Sequence, residues 1–183
     1  YFRSGRLAAR GSTLEVVKRY QRESLDQATD QNLPSEFCVQ VRNPLVNLSS
    51  VLLVDGTPLR QTSVFEPGQP AELRFELDAT EDFANVVVCI RIYRDQLVVF
   101  GNNSDHALGE IALKRGQRRK LQVCFESLSL MPGAYTIVIF ALPSYFSPVS
   151  SAISKFHILS LVVQGSRDYG GGHVYLKQDW TLE

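Results

Sequence analysis

An excess of charge of either sign is missing from this sequence: Lys+Arg and Asp+Glu both number 19 among 183 residues, so the formal net charge is zero. Without a positive field, nucleic acid and anionic membranes are excluded as partners of the whole surface. Long apolar runs are also missing. Nothing approaches the roughly 20 residues that span a bilayer, and the opening "YFRSGRLAARG" lacks the apolar middle of a signal peptide. The expectation is a soluble, cytoplasmic chain whose abrupt start marks it as a fragment. Cysteine is scarce and odd in number: Cys38, Cys89 and Cys124 lie in apparent strands, with no CxxC spacing and no histidine company. They read as small hydrophobes, which suits a compartment that leaves thiols unpaired.

Catalytic signatures are missing too. There is no GxxxxGK[ST], GxSxG, HExxH or GxGxxG, so phosphate-cradling loops, nucleophile elbows and zinc helices are not expected. His106, His157 and His173 are scattered without metal-ligand spacing, so neither a metal nor a cofactor is expected. The acids Glu66, Glu72, Glu76, Asp78, Glu81 and Asp82 sit in or beside turns, where acids serve solubility rather than glycoside cleavage. "KRGQRRK" could hold an anion through Arg115, Arg118 and Arg119, but no aromatic residue interleaves it and it reads as a solvated hairpin tip. The N-x-S sequons in "NLSS" and "NNSD" read as turns.

What is present is hydrophobic content of 44%, enough for one good core. "STLE" at Ser12 to Glu15 is a capping box, and Leu14, Val17 and Tyr20 follow at helical spacing. The stretch 23–35 is polar and reads as a linker. The period then becomes twofold, with strands expected at 36–41, 49–55, 71–77, 85–93, 96–100, 119–126, 134–142, 155–163 and 173–180. Turns carrying "DGTP", "EPGQP", "GNNSD", "KRGQ" and "MPG" separate them. Nine short strands without intervening helices predict an all-β antiparallel sandwich.

Alternation assigns faces. Leu73, Phe75 and Leu77 should point inward, with Arg74 and Glu76 outward. Leu121, Val123 and Phe125 should point inward, with Gln122 and Cys124 outward. Val88, Ile90 and Ile92 read as core, which leaves Cys89, Arg91 and Tyr93 on the opposite face. Tyr135 opens its strand in the manner of a tyrosine corner. If Ile137 and Ile139 share its face, Val138 and Phe140 lie outward, and an outward apolar stripe needs a cover or a ligand.

Sugars present C–H patches on one face and hydroxyls at their edge, so a carbohydrate site needs flat rings and fixed polar groups. Arg91, Tyr93, Phe140 and His157 are expected to share one sheet face, with Tyr145 and Phe146 in the adjoining "LPSYFSP" loop. Arg74, outward on its own strand, completes the candidate set. The alternative is that the same residues are packed under a loop or a second subunit.

Five stretches in order resemble a known family. "SGRLAARGSTLEVVKRYQ", "FEPGQPAELRFEL", "VVFGNNSD", "LSLMPGAYTI" and "GGGHVYLKQDW" are similar to the C-terminal domain of Wzt, the ATPase subunit of ABC transporters that export O-antigen polysaccharides. The departure is Asn103-Ser104, where the family often has Asn-Thr. The resemblance implies three segments: the end of the ATPase domain over 1–22, the linker over 23–35 and an immunoglobulin-like, carbohydrate-binding antiparallel β-sandwich over 36–183. It implies recognition, without catalysis, of the capped non-reducing end of an O-polysaccharide. The cap would be methyl, phosphate or methyl phosphate, with Arg91 suited to a phosphate and Phe140 to a methyl group. It also implies a homodimer made by exchange of the last strand. There Gly170, Gly171 and Gly172 form the hinge, and Val174, Leu176 and Trp180 pack on the partner, the alternative being a final strand that stays within its own chain. The full-length protein would join a membrane subunit and sit at the inner membrane. A dimerisation or interaction module without glycan binding is the alternative.

Overall fold

The computed structural model describes residues 2–3, 6–7, 10–12, 16, 41–55, 61–94, 96–109, 111–165 and 174. Among them run eleven strands: β1 (Phe2–Arg3), β2 (Arg6–Leu7), β3 (Val46–Asp55), β4 (Val64–Phe65), β5 (Ala71–Ala79), β6 (Phe83–Arg94), β7 (Leu97–Asn103), β8 (Ile111–Leu113), β9 (Arg118–Phe125), β10 (Gly133–Leu142) and β11 (His157–Val163). The expected strand 36–41 apart from Val41, the linker, the glycine hinge and the last strand apart from Val174 lie outside the described residues. So does the helix beyond Val16, whose N–H donates to the Ser12 carbonyl across 3.0 Å, as the first turn of a helix begun at Ser12 requires.

β1 and β2 form a small hairpin. The remaining strands make two sheets, one ordered β3-β5-β9 and the other β4-β11-β10-β6-β7, with β8 beside β6. Among the described residues the ladders between strands are antiparallel except β4 with β11, and an isolated parallel bridge joins Val46 to Ser154. Leu73, Phe75 and Leu77 of β5 pack against Val88, Ile90 and Ile92 of β6 and Ile137 and Ile139 of β10, all in one buried cluster. The twofold pattern therefore placed the inner faces of these strands correctly, and Leu121, Val123 and Phe125 of β9 pack against the same core. Strands β4 and β8, with two and three residues, are too short to show a period.

Local chemistry sets the corners. The Tyr135 hydroxyl donates to the Met131 carbonyl at 2.6 Å, the tyrosine-corner bond, and Tyr135 is buried. In the β8–β9 turn Gly116 takes φ 73°, a left-handed conformation that favours glycine, and Gln117 N–H closes onto the Lys114 carbonyl at 2.8 Å. Ile153 and Ser154 tie the sheets together. The Ile153 carbonyl accepts from the N–H groups of Leu45 and Val46, and the Ala141 N–H donates to the buried Ser154 Oγ at 2.7 Å.

Candidate functional site

The outer face of the larger sheet carries the stripe that alternation assigned to it. Cys89, Tyr93, Val138 and Phe140 form a second buried cluster there, and Val149, Ala152 and Phe156 pack against it. The stripe thus has its cover. Phe140 is 1% exposed and Tyr93 4%, and Phe156 meets the Phe140 ring edge-on at 5.5 Å. Burial pushes the Cys89 thiol pKa up to about 11, against a partial opposing effect of the nearby Arg91 charge.

Arg91 stands on the same face, half-buried, with its guanidinium 5.9 Å from the Phe140 ring centre. Its Nη1 donates to the carbonyls of Ile90 and Asn102 at 2.9 and 3.0 Å. Gly101 lies opposite Arg91 in the β6–β7 register, and a Cβ there would stand 2.9 Å from Arg91 Cδ. Glycine at 101 leaves the space in which the arginine lies.

His157 does not join this group. It pairs with Ile139 in the β10–β11 register, and paired residues share a face, so His157 has the parity of the core-facing residues. The expected grouping fails because β11 is apolar on both parities, and only its register against β10 decides the phase. Burial lowers the His157 pKa. Arg74 stands on the other sheet, opposite Gln122 of β9, and its Nε donates to Glu72. Tyr145 is exposed in the loop after β10. It meets His106 at 5.3 Å and Phe146 at 5.0 Å, both edge-on, and Phe146 is 91% exposed. Of the six expected site residues, the fold brings together Arg91, Tyr93 and Phe140, two of them out of reach of a ligand.

An open site lies elsewhere. β7 ends the larger sheet and β9 ends the smaller one, so the sandwich is unclosed along this side. Between them is a cleft of about 270 Å³. Phe75, Phe100, Leu121 and Val123 give it an apolar floor, with Asn102, Asn103, Ser104 and Gln122 among its polar lining. Phe100 and Phe125, edge-on at 5.6 Å, bridge the sheets beside it. The turn after β7 forms its lip: Ser104 exchanges bonds with Val88, and the helix Asp105–Leu108 supplies Ala107 and Leu108. Through His106 that helix also reaches the Tyr145–Phe146 pair. The Asn103 Oδ1 and the Oδ1 of nearby Asp105 are buried without a hydrogen-bond partner. Asn103 pairs with Cys89 in the β6–β7 register, so its side chain turns to the outer face of the larger sheet, while Asn102, paired with Ile90, turns toward the cleft.

Sequence reasoning did not gather Phe100, Asn102, His106 and Gln122 into a candidate site. The consecutive amides of "GNNSD" were the available signal, read there only as a turn. Among the described residues no group of three or more His, Cys, Asp or Glu could hold a metal ion, and no helix is long and apolar enough to cross a membrane.

Two packed sheets with a tyrosine corner define the immunoglobulin-like class of β-sandwich. Within that class, this chain belongs to the Wzt C-terminal domain family, whose family model matches residues 43–168. The crystal structure of the C-terminal domain of wzt superposes with a TM-score of 0.62 at 19% identity, covering 76% of this chain and 85% of that one. A Niemann-Pick type C2 protein from Japanese carpenter ant gives a TM-score of 0.49 at 10% identity, over 69% of this chain and 98% of that one. Pseudomonas fluorescens alkylpurine DNA glycosylase AlkC gives 0.46 at 13%, over 67% and 31%. These last two add nothing to the assignment. No curated protein sequence matches the chain.

Proposed function

We propose that this chain is the glycan-recognition domain of a polysaccharide ABC transporter's ATPase subunit, and that its edge cleft receives the non-reducing terminal residue of an O-antigen polysaccharide. The observation that carries this is the size and lining of the cleft. At about 270 Å³ it falls below the roughly 300–1,000 Å³ of sites for drug-sized ligands, which suits one sugar ring rather than a chain segment. A ring's C–H face would lie on Phe100 and Leu121 while its hydroxyls meet the amides of Asn102 and Gln122. The exposed His106–Tyr145–Phe146 cluster adjoins the lip and offers a stacking surface for the residues that follow.

The role is binding, with ATP hydrolysis assigned to a preceding domain that the segment 1–22 would close. The full-length protein works at the cytoplasmic side of the inner membrane with the transporter's membrane subunit. The domain dimerises by exchanging its last strand about Gly170, Gly171 and Gly172. Val174 is exposed and bridges antiparallel to Leu130 of its own chain, the pairing that exchange would move to the partner. In the dimer the same bridge forms with the partner, and two clefts give avidity toward clustered chain ends. Shallow single-ring recognition corresponds to micromolar to millimolar affinity, roughly −8 to −4 kcal/mol.

The test is calorimetric titration of the purified chain with its host's O-polysaccharide, before and after chemical removal of the terminal cap. Saturable binding only to the capped polymer is the expected result. Equal binding to both would make the domain a general glycan binder. Absence of binding would favour a protein-interaction module, for which the exposed Phe146 is the specific observation.

A further inference from the structure

We propose that the cleft between β7 and β9 selects a neutral sugar residue with an apolar face, such as a 6-deoxy or O-methyl sugar, and rejects a phosphorylated or otherwise anionic one. This rests on the reading that the cleft is the glycan site, and it specifies the chemistry that site accepts.

The lining is the first argument. Among the described residues that form the cleft there is no lysine, arginine or histidine, and no acid. An anion brought into an apolar-floored cleft loses hydration, and without a cation nothing compensates that loss. The two arginines nearest by register are engaged. Arg91 donates to the Ile90 and Asn102 carbonyls, and Arg74 to Glu72. Recruiting either would break bonds it already makes.

The floor is the second argument. Phe75, Phe100, Leu121 and Val123 present carbon to the ligand, and a methyl in place of a hydroxymethyl removes a polar group that would find no partner there.

The experiment is an amide-detected NMR titration of the whole chain with methyl α-L-rhamnopyranoside and, separately, with mannose 6-phosphate, each at low and high salt. The rhamnoside is expected to shift Asn102, Asn103 and Gln122 saturably, at least tenfold more tightly than the phosphorylated sugar, with little dependence on salt. The exposed Gln122→Arg variant should narrow or reverse that preference by supplying a cation at the rim. If the phosphorylated sugar binds the cleft as well or better, the inference is overturned while the cleft remains the glycan site. If capped polysaccharide binds the chain but neither it nor the small sugars move the cleft amides, the site reading fails and the inference with it. A Gln122→Arg variant that gains nothing for phosphate would also count against it.

Discussion

The outer face of β6 and β10 and the cleft between β7 and β9 both gather planar side chains, yet one is closed and the other open. On the first, Phe140 and Tyr93 lie under cover, with Phe156 and the 149–152 turn packed on the cluster they belong to. In the second, Phe100 and Leu121 form the floor of a ring-sized space with amides around it. The comparison teaches that aromatic groups on an outward parity mark a place where something must sit, and the chain itself can be that something.

The sharpest way to break the comparison is to remove the closed face's centre. Phe140→Ala should destabilise the fold by about 3–5 kcal/mol, measured by denaturant unfolding, because a fully buried ring leaves a cavity. If it cost little stability but abolished glycan binding, the two regions would have to exchange roles. Tyr135→Phe, which removes the donor to the Met131 carbonyl, should cost about 1–3 kcal/mol in the same assay and leave the cleft's affinity unchanged. At the open region the balance should invert. Asn102→Ala combined with Gln122→Ala is expected to weaken glycan binding about tenfold, near 1.4 kcal/mol, with a stability change within about 0.5 kcal/mol for each exposed position.

Smaller effects sharpen the contrast through protonation. Burial lowers the His157 pKa below its ordinary 6.5, so the unfolded chain binds the proton more readily than the folded one. Stability from this group is therefore present above about pH 6.5 and declines as pH falls below it, and His157→Gln should flatten that part of the pH–stability curve. Cys89, whose thiol burial pushes up to about 11, should resist alkylation at neutral pH while the exposed Cys124 reacts, as peptide mass mapping would show.

These results also measure what could be read from residues alone. Alternation succeeded for β5, β6 and β10 because side-chain parity is a local property, and "LMPGAY" signalled its corner by a tyrosine at a fixed distance from the turn. His157 was misplaced because Ile158, Leu159, Leu161, Val162 and Val163 leave both parities apolar, so the phase comes only from pairing with β10. The cleft was illegible for a related reason. Phe100, Asn102 and Gln122 become neighbours only when β7 and β9 both fall at sheet edges, a consequence of strand order that no local pattern encodes.

The most direct test of the central claim is chemical-shift mapping of the chain with a short oligosaccharide carrying the capped non-reducing end. The account predicts saturable shifts centred on Asn102, Asn103, Leu108 and Gln122, with the amides of Tyr93 and Phe140 little changed. Saturable shifts centred on the outer face of β6 and β10, with the cleft silent, would contradict it.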